Sequence, residues 1–208
     1  SGAAVEMYKE IGYDVVLIDR EHTALNHETI LEHIRLCRAL EIPCMVRVAE
    51  ASYSELNRIM DQAPDGIYIP RICNREELEE IMKRIKFPPK GSKGLGGSTC
   101  PAGKYIGWGG GVQPQIETVE AFADLDGILS VPGVDIAIVG NDDLSLGLGI
   151  PGQVESLEYI GVVKKIIEAC RRHNVYPGLA GGDPAWLRNG PFGLSWLAPD
   201  ALVKARDW

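Results

Sequence analysis

The sequence predicts an α/β protein in which short parallel strands alternate with amphipathic helices. Apolar runs of four or five residues bounded by turn residues recur along the chain. The stretches between them are long and periodic enough to be crossover helices. Charged and amide side chains also gather just after the apolar runs, where parallel α/β folds build their sites.

Taken in order, the chain opens on a helix-like segment at 3–10 and enters its first strand at 15–18, inside "VVLIDREHTALN". A helix at 28–40 follows, with Asn26 as its N-cap. Then come a strand at 44–48 within "CMVRVAE", a helix at 53–62, a strand at 66–69 and a helix at 75–84 capped by Asn74. Residues 88–111 are glycine-rich and aperiodic and read as a long loop, a class usually kept for function or mobility. Beyond it lie strands at 112–116, 136–139, 176–179 and 194–197, with helices at 119–130, 159–173 and 184–188. Seven strands fit a barrel or a doubly wound sheet. An eight-stranded barrel needs one more, and a chain that starts on a helix would lack the first. No linker or repeat divides residues 1–208, so a single domain is expected.

Composition narrows the function. The 208 residues are 45% hydrophobic and 24% charged, with a formal net charge of −8, which excludes a nucleic-acid footprint built on clustered Lys and Arg. The short basic clusters at 83–86 and 171–172 read as solvated helix ends. No apolar run approaches the length of a membrane span. Five cysteines, odd in number and without a C-x-x-C pair, read as reduced thiols in a cytoplasm rather than disulfides or a zinc site. "GSTCPAGKY" fails the phosphate-loop pattern in its spacing and in Tyr105, "GLGGST" lacks the third glycine of a dinucleotide fingerprint, and no G-x-S-x-G elbow is present.

The strand ends carry the chemistry. Asp19, Arg20, Glu21 and His22 follow the first strand; Arg47 lies in the second, and Arg71 follows the third. Gln115 and Glu117 belong to the fourth, and Asn141, Asp142 and Asp143 follow the fifth. Glu117 and Asp143 offer hard oxygen ligands suited to Mg²⁺ or Mn²⁺; each also stands where a helix cap would. His22 is the one histidine in a strand-end loop and suits a general base if a carboxylate orients it. Arg47, inside an apolar strand, requires an anion, either a ligand or a core carboxylate.

"GYDVVLIDREH", "MVRVAE", "MDQAPDGIYIP", "FPPKGSKGLGG", "QIETVEAFADLDGILSVPGVDIAIVGNDDLS" and "GLAGG" together resemble the HpcH/HpaI aldolase family over nearly the whole chain. The resemblance implies a (β/α)8 TIM barrel and a class II, metal-dependent lyase. Such an enzyme reversibly cleaves a 4-hydroxy-2-oxo acid to pyruvate and an aldehyde through a metal-bound pyruvate enolate. It implies Glu117 and Asp143 as ligands of Mg²⁺, Mn²⁺ or Co²⁺, Arg47 beside the enolate oxygen, and Gln115 shaping the pyruvate site. His22 would be the base, oriented by Asp61, with Asp19 supporting the same end of the barrel. The backbone around Asp142 and Asp143 would meet the pyruvate carboxylate. A homo-oligomer, a hexamer in the family, is implied as well.

Three departures from the family pattern stand out: Asn141-Asp142 replaces Pro-Ala, Lys93 replaces an arginine, and 98–111 is shorter than the family's helical insert. Other readings are a lyase or decarboxylase acting on another 2-oxo acid, an enzyme that forms carbon–carbon bonds with the same enolate, or a silent barrel that only binds. The intact set of His22, Arg47, Glu117 and Asp143 weighs against the last.

Overall fold

The structure, a computed structural model, describes residues 2–96 and 110–180, which fall into two compact units. The first comprises Ser1–Pro70 and Glu79–Gly111, the second Arg71–Leu78 and the chain from Val112.

The first unit runs α1 (Gly2–Ile11), β1 (Val16–Asp19), α2 (His27–Ala39), β2 (Cys44–Arg47), α3 (Tyr53–Asp61) and β3 (Gly66–Ile69). Most of α4 (Arg75–Ile85) also belongs to it. The three strands pair in parallel, β1 with β2 and β2 with β3. Val16 and Ile18 are buried on one face of β1, while Leu17 and Asp19 turn to the other, as the two-residue period of a strand requires. The helices present apolar stripes at helical spacing: Ile30, Ile34 and Cys37 on α2, and Leu56, Ile59 and Met60 on α3, all buried. Both helices are capped as their sequences allow. Asn26 Oδ1 accepts from Thr29 N–H at 2.9 Å, and Ser52 Oγ accepts from Glu55 N–H at 3.3 Å.

The second unit runs β4 (Gly111–Ile116), α5 (Val119–Ala123), α6 (Leu125–Leu129), β5 (Ile136–Gly140), α7 (Asn141–Gly147), α8 (Leu157–Arg172) and β6 (Tyr176–Ala180). Parallel pairing joins β4 to β5 and β5 to β6. Ile116, Ile128, Val139, Leu144, Val163, Ile166 and Leu179 form its core. Asn74 caps α4 as expected, its Oδ1 accepting from Glu77 N–H at 2.9 Å.

One expected helix is corrected. Residues 119–130 form two short helices rather than one, because the chain leaves helical geometry at Asp124 (φ −111°, ψ 33°). There the Asp124 carboxylate accepts the Arg75 N–H at 2.8 Å and lies over Gly127, where a Cβ would come within 2.2 Å of Oδ1. Cys37, Cys44 and Cys170 are buried free thiols, and burial pushes Cys170 up to about 12, as befits a core filler. No helix among the described residues is long and apolar enough to cross a membrane. The expected helix at 184–188, the expected strand at 194–197 and Cys100 lie outside the described residues.

Asn26→Ala removes the acceptor that starts α2, directly after the His22 loop, and should lower stability by about 1 kcal/mol without loss of far-ultraviolet helix signal. Urea unfolding followed by circular dichroism checks both halves of the expectation.

Candidate active site

In the first unit, strand register builds the charge cluster. Asp19 lies opposite Arg47, and Arg47 opposite Tyr68, so three side chains share one face of three neighbouring strands. Arg47 donates from Nε to Asp19 Oδ1 at 2.8 Å and from Nη2 to Asp19 Oδ2 at 2.7 Å, a paired geometry that fixes the guanidinium plane. Its Nη1 lies 3.3 Å from Glu21 Oε2, and its Cζ stands 5.9 Å from the centre of the Tyr68 ring. Of the alternatives open for Arg47, the structure shows pairing with carboxylates of its own unit. Burial works against ionisation of Asp19, but the hydrogen bonds and charge of Arg47 outweigh it and hold the carboxyl below its ordinary range. Burial likewise opposes the Arg47 charge, and Asp19 more than restores it.

The loop after β1 is tied down from several sides. Glu21 N–H donates to Asp19 Oδ1 at 3.0 Å, Thr23 Oγ1–H donates to the Asp19 carbonyl, and Arg20 Nη1 donates to the Leu25 carbonyl at 2.7 Å. Arg20 Nε also donates to Glu55, whose other oxygen lies 3.2 Å from His27 Nε2. Glu55 follows Ser52 at capping-box spacing. Its buried carboxylate is used instead to hold the β1–α2 loop, a role that spacing alone conceals. His22 projects from this loop with its side chain 63% exposed and Nε2 3.5 Å from Glu21 Oε2. Asp61, expected to orient His22, is paired here with Lys93. The Lys93 side chain is fully buried: its ammonium also donates to Asn57 Oδ1 at 3.0 Å and the Gly94 carbonyl at 3.1 Å, and lies 5.0 Å from the Phe87 ring centre. The carboxylate beside His22 is thus Glu21, which had no role assigned from sequence.

In the second unit the capping alternatives for the two candidate ligands resolve separately. Thr118, not Glu117, caps α5, its Oγ1 accepting from Ala121 N–H at 3.0 Å. Glu117 is buried, and its Oε1 accepts the Arg71 N–H at 2.7 Å. Asp143 sits in the first turn of α7, where no side chain caps the helix, and its Oδ1 is 3.5 Å from Arg71 Nη1. Gly140, at the end of β5, makes room for this set: a Cβ there would lie 2.4 Å from Glu117 Oε2 and 2.6 Å from Gln115 Nε2. Gln115 is buried, and its Oε1 has no hydrogen-bond partner among the described residues. Asn141 is buried as well and accepts the Tyr159 hydroxyl at 2.6 Å, which anchors α7 to α8. Asp142 accepts the Ser145 hydroxyl on its carbonyl at 2.9 Å. Burial first, then the Asp142 charge, raises the Tyr159 phenol and keeps it a donor to Asn141.

This donor set fits a hard divalent cation. Among the described residues no three His, Cys, Asp or Glu side chains gather as a metal cage. Mg²⁺ and Mn²⁺ do not need one, since they are held through one or two carboxylates with water and substrate filling the other positions. Glu117 and Asp143 are carboxylates of that kind, and the buried Gln115 Oε1 has no hydrogen-bond partner among the described residues.

The chain is similar to known proteins over most of its length. Residues 2–180 match the family model described as HpcH/HpaI aldolase/citrate lyase. The chain is 27% identical over 188 residues to a 4-hydroxy-2-oxo-heptane-1,7-dioate aldolase of Shigella sonnei, covering 86% of this chain and 72% of that protein. It is 28% identical over 193 residues to a 2-dehydro-3,6-dideoxy-6-sulfogluconate aldolase of Pseudomonas putida, covering 88% and 75%. The crystal structure of an HpcH/HpaI aldolase from Desulfitobacterium hafniense superposes with a TM-score of 0.84 at 29% identity, over 95% of this chain and 80% of that one.

The Asp19–Arg47 pair has a definite pH signature. Because the Asp19 carboxyl titrates lower in the folded protein than in the unfolded chain, its contribution to stability is complete above the unfolded value of about 3.9 and is lost as pH falls through the lower folded value. Asp19→Asn should therefore be less stable than the parent at pH 7, with the gap closing below pH ~4. Denaturant midpoints at a series of pH values measure the gap; one that stays constant into acid would contradict the pairing.

Proposed function

The chain belongs to the HpcH/HpaI aldolase/citrate lyase family and is a carbon–carbon lyase, and from that premise we propose that it catalyses metal-dependent, reversible retro-aldol cleavage of a 4-hydroxy-2-oxo acid to pyruvate and an aldehyde. The observation that carries the reading is the pair Glu117 and Asp143 at consecutive strand ends, with Gly140 letting Glu117 and Gln115 lie against the end of β5 and Gln115 offering a buried oxygen without a partner among the described residues. In this reading Glu117 and Asp143 hold Mg²⁺, Mn²⁺ or Co²⁺, and the cation when bound polarises the 2-oxo group and its neighbouring carboxylate.

The protein's own groups do the rest. Arg47, held in one orientation by Asp19, presents a fixed positive charge to the oxygen on which negative charge develops. Little reorganisation is then needed when that charge forms. His22, exposed and beside a carboxylate, takes the proton of the 4-hydroxyl as the carbon–carbon bond breaks. Asp61, paired with Lys93, remains the carboxylate proposed to orient His22, and Glu21 at 3.5 Å adds a second beside it. Gln115 shapes the pyruvate pocket, and the first turn of α7 at Asp142 and Asp143 meets the pyruvate carboxylate. The (β/α)8 barrel, the homo-oligomer and the cytoplasm belong to the same reading. The four described free thiols support the last of these. The named relatives are aldolases of a 4-hydroxy-2-oxo-heptane-1,7-dioate and of a 6-sulfogluconate derivative, which supports a small 2-oxo acid as the substrate of this chain.

Pyruvate release from 4-hydroxy-2-oxo acids should stop with EDTA and return with Mg²⁺, Mn²⁺ or Co²⁺; turnover indifferent to chelation removes the metal from the reading. Glu117→Gln should lose metal binding by calorimetric titration while keeping the parent's melting curve. A variant that still binds metal tightly would refute the ligand role.

A further inference from the structure

Four non-glycine residues adopt left-handed backbone: Glu41, Ala63, Arg71 and Asn174, with φ between 53° and 57°. Three have an ordinary cause. Glu41, Ala63 and Asn174 each stand one residue beyond the cap of a helix, α2, α3 and α8, where the chain commonly turns left-handed to satisfy the last carbonyls. Arg71 ends no helix. It follows a strand in sequence, and a β-carbon in this conformation costs stability that no capping bond returns.

What the turn accomplishes is placement. The Arg71 N–H is fixed on Glu117 Oε1 at 2.7 Å, while its side chain stays 62% exposed. Its one ion pair among the described residues is a long contact of 3.5 Å to Asp143, itself 39% exposed. An exposed pair at that distance is weak and leaves most of the five guanidinium donors for other partners. An exposed cation is therefore tied by its backbone to a candidate metal-holding carboxylate. The contrast with Arg47 is sharp, since Asp19 already takes two of that guanidinium's donors.

We propose that Arg71 forms a subsite for an acidic group, a carboxylate or sulfonate, at the end of the substrate opposite its 2-oxo acid. The proposal rests on the retro-aldol reading, in which the 2-oxo acid end is served by the cation on Glu117 and Asp143 and by the first turn of α7. The exposed guanidinium then faces no other obligation on that ligand. Its fork geometry matches two coplanar oxygens, so the class it selects is an anionic aldehyde partner rather than a neutral one.

The test compares two inert 2-oxo acids of equal length, 2-oxoheptanedioate and 2-oxoheptanoate, which differ only in a terminal carboxylate and lack the 4-hydroxyl needed for cleavage. Calorimetric titration with Mg²⁺ present should show the parent binding the dioate about 10–100-fold more tightly, the effect of one charge-assisted paired contact. Arg71→Asn, which tolerates left-handed backbone, should bring the two within about threefold of each other. Arg71→Lys, which keeps the charge but not the fork, should lower the preference at least threefold and decides the matter if the asparagine variant does not fold. Equal affinities in the parent, or an undiminished preference in a folded Arg71→Asn or Arg71→Lys, overturns the subsite while leaving the retro-aldol reading intact. Failure of the parent to bind either acid overturns that reading, and the subsite with it.

Discussion

An arginine inside an apolar strand sets the first constraint on this protein. Arg47 cannot shed its proton, and a bare guanidinium in a low-dielectric setting costs several kcal/mol. The sheet answers with Asp19 at the same level of the neighbouring strand, so that parallel register itself creates the ion pair. A slip of one residue would turn Asp19 to the opposite face and leave Arg47 without its paired acceptor. Register, site geometry and charge balance in the first unit are thus one condition. The loop after β1 extends it: Glu21 adds a second carboxylate to Arg47 and stands beside His22, while Arg20 braces the loop on Glu55.

The second unit meets a related problem with opposite sign. Glu117 is buried at the end of β4, and Asp142 and Asp143 follow the next strand, in the first turn of α7. Arg71 contributes a backbone N–H to Glu117 and a distant guanidinium to Asp143, and the uncapped start of α7 adds the weak positive end of a short helix. The missing side chain of Gly140 lets Glu117 and Gln115 lie against the end of β5, since any Cβ would collide with the glutamate and the glutamine.

Much of this was legible in the chain itself. Strand positions followed from apolar runs and their turn punctuation, and Asn26 and Asn74 announced their helices correctly because a cap is a local interaction. The break at Asp124 was hidden because its cause is a bond to Arg75, forty-nine residues earlier. Glu55 was hidden for the opposite reason: its local spacing fits a capping box, and a distant arginine claims the carboxylate. The type of residue at each candidate site position was readable, but partner choice was not. Asp61 with Lys93, and His22 with Glu21, depend on rotamers and on a lysine from the glycine-rich stretch whose buried position no periodicity announces.

The departures from the family pattern gain meaning on the same terms. Asn141 stands where the family resemblance implies a proline, and its side chain takes the hydroxyl of the buried Tyr159, tying the start of α7 to the long helix α8. That bond fixes the segment carrying Asp143 by side-chain chemistry where a proline would fix it by restricting the backbone. Lys93 in place of arginine delivers a compact ammonium to three acceptors and an aromatic face, a fit that a planar guanidinium would not reproduce in a space so closed. Both replacements preserve a position while changing the interaction that holds it. Each is therefore a compensated change in the supporting structure, whereas Asp142, the other half of the first departure, lies in the turn proposed to meet the pyruvate carboxylate.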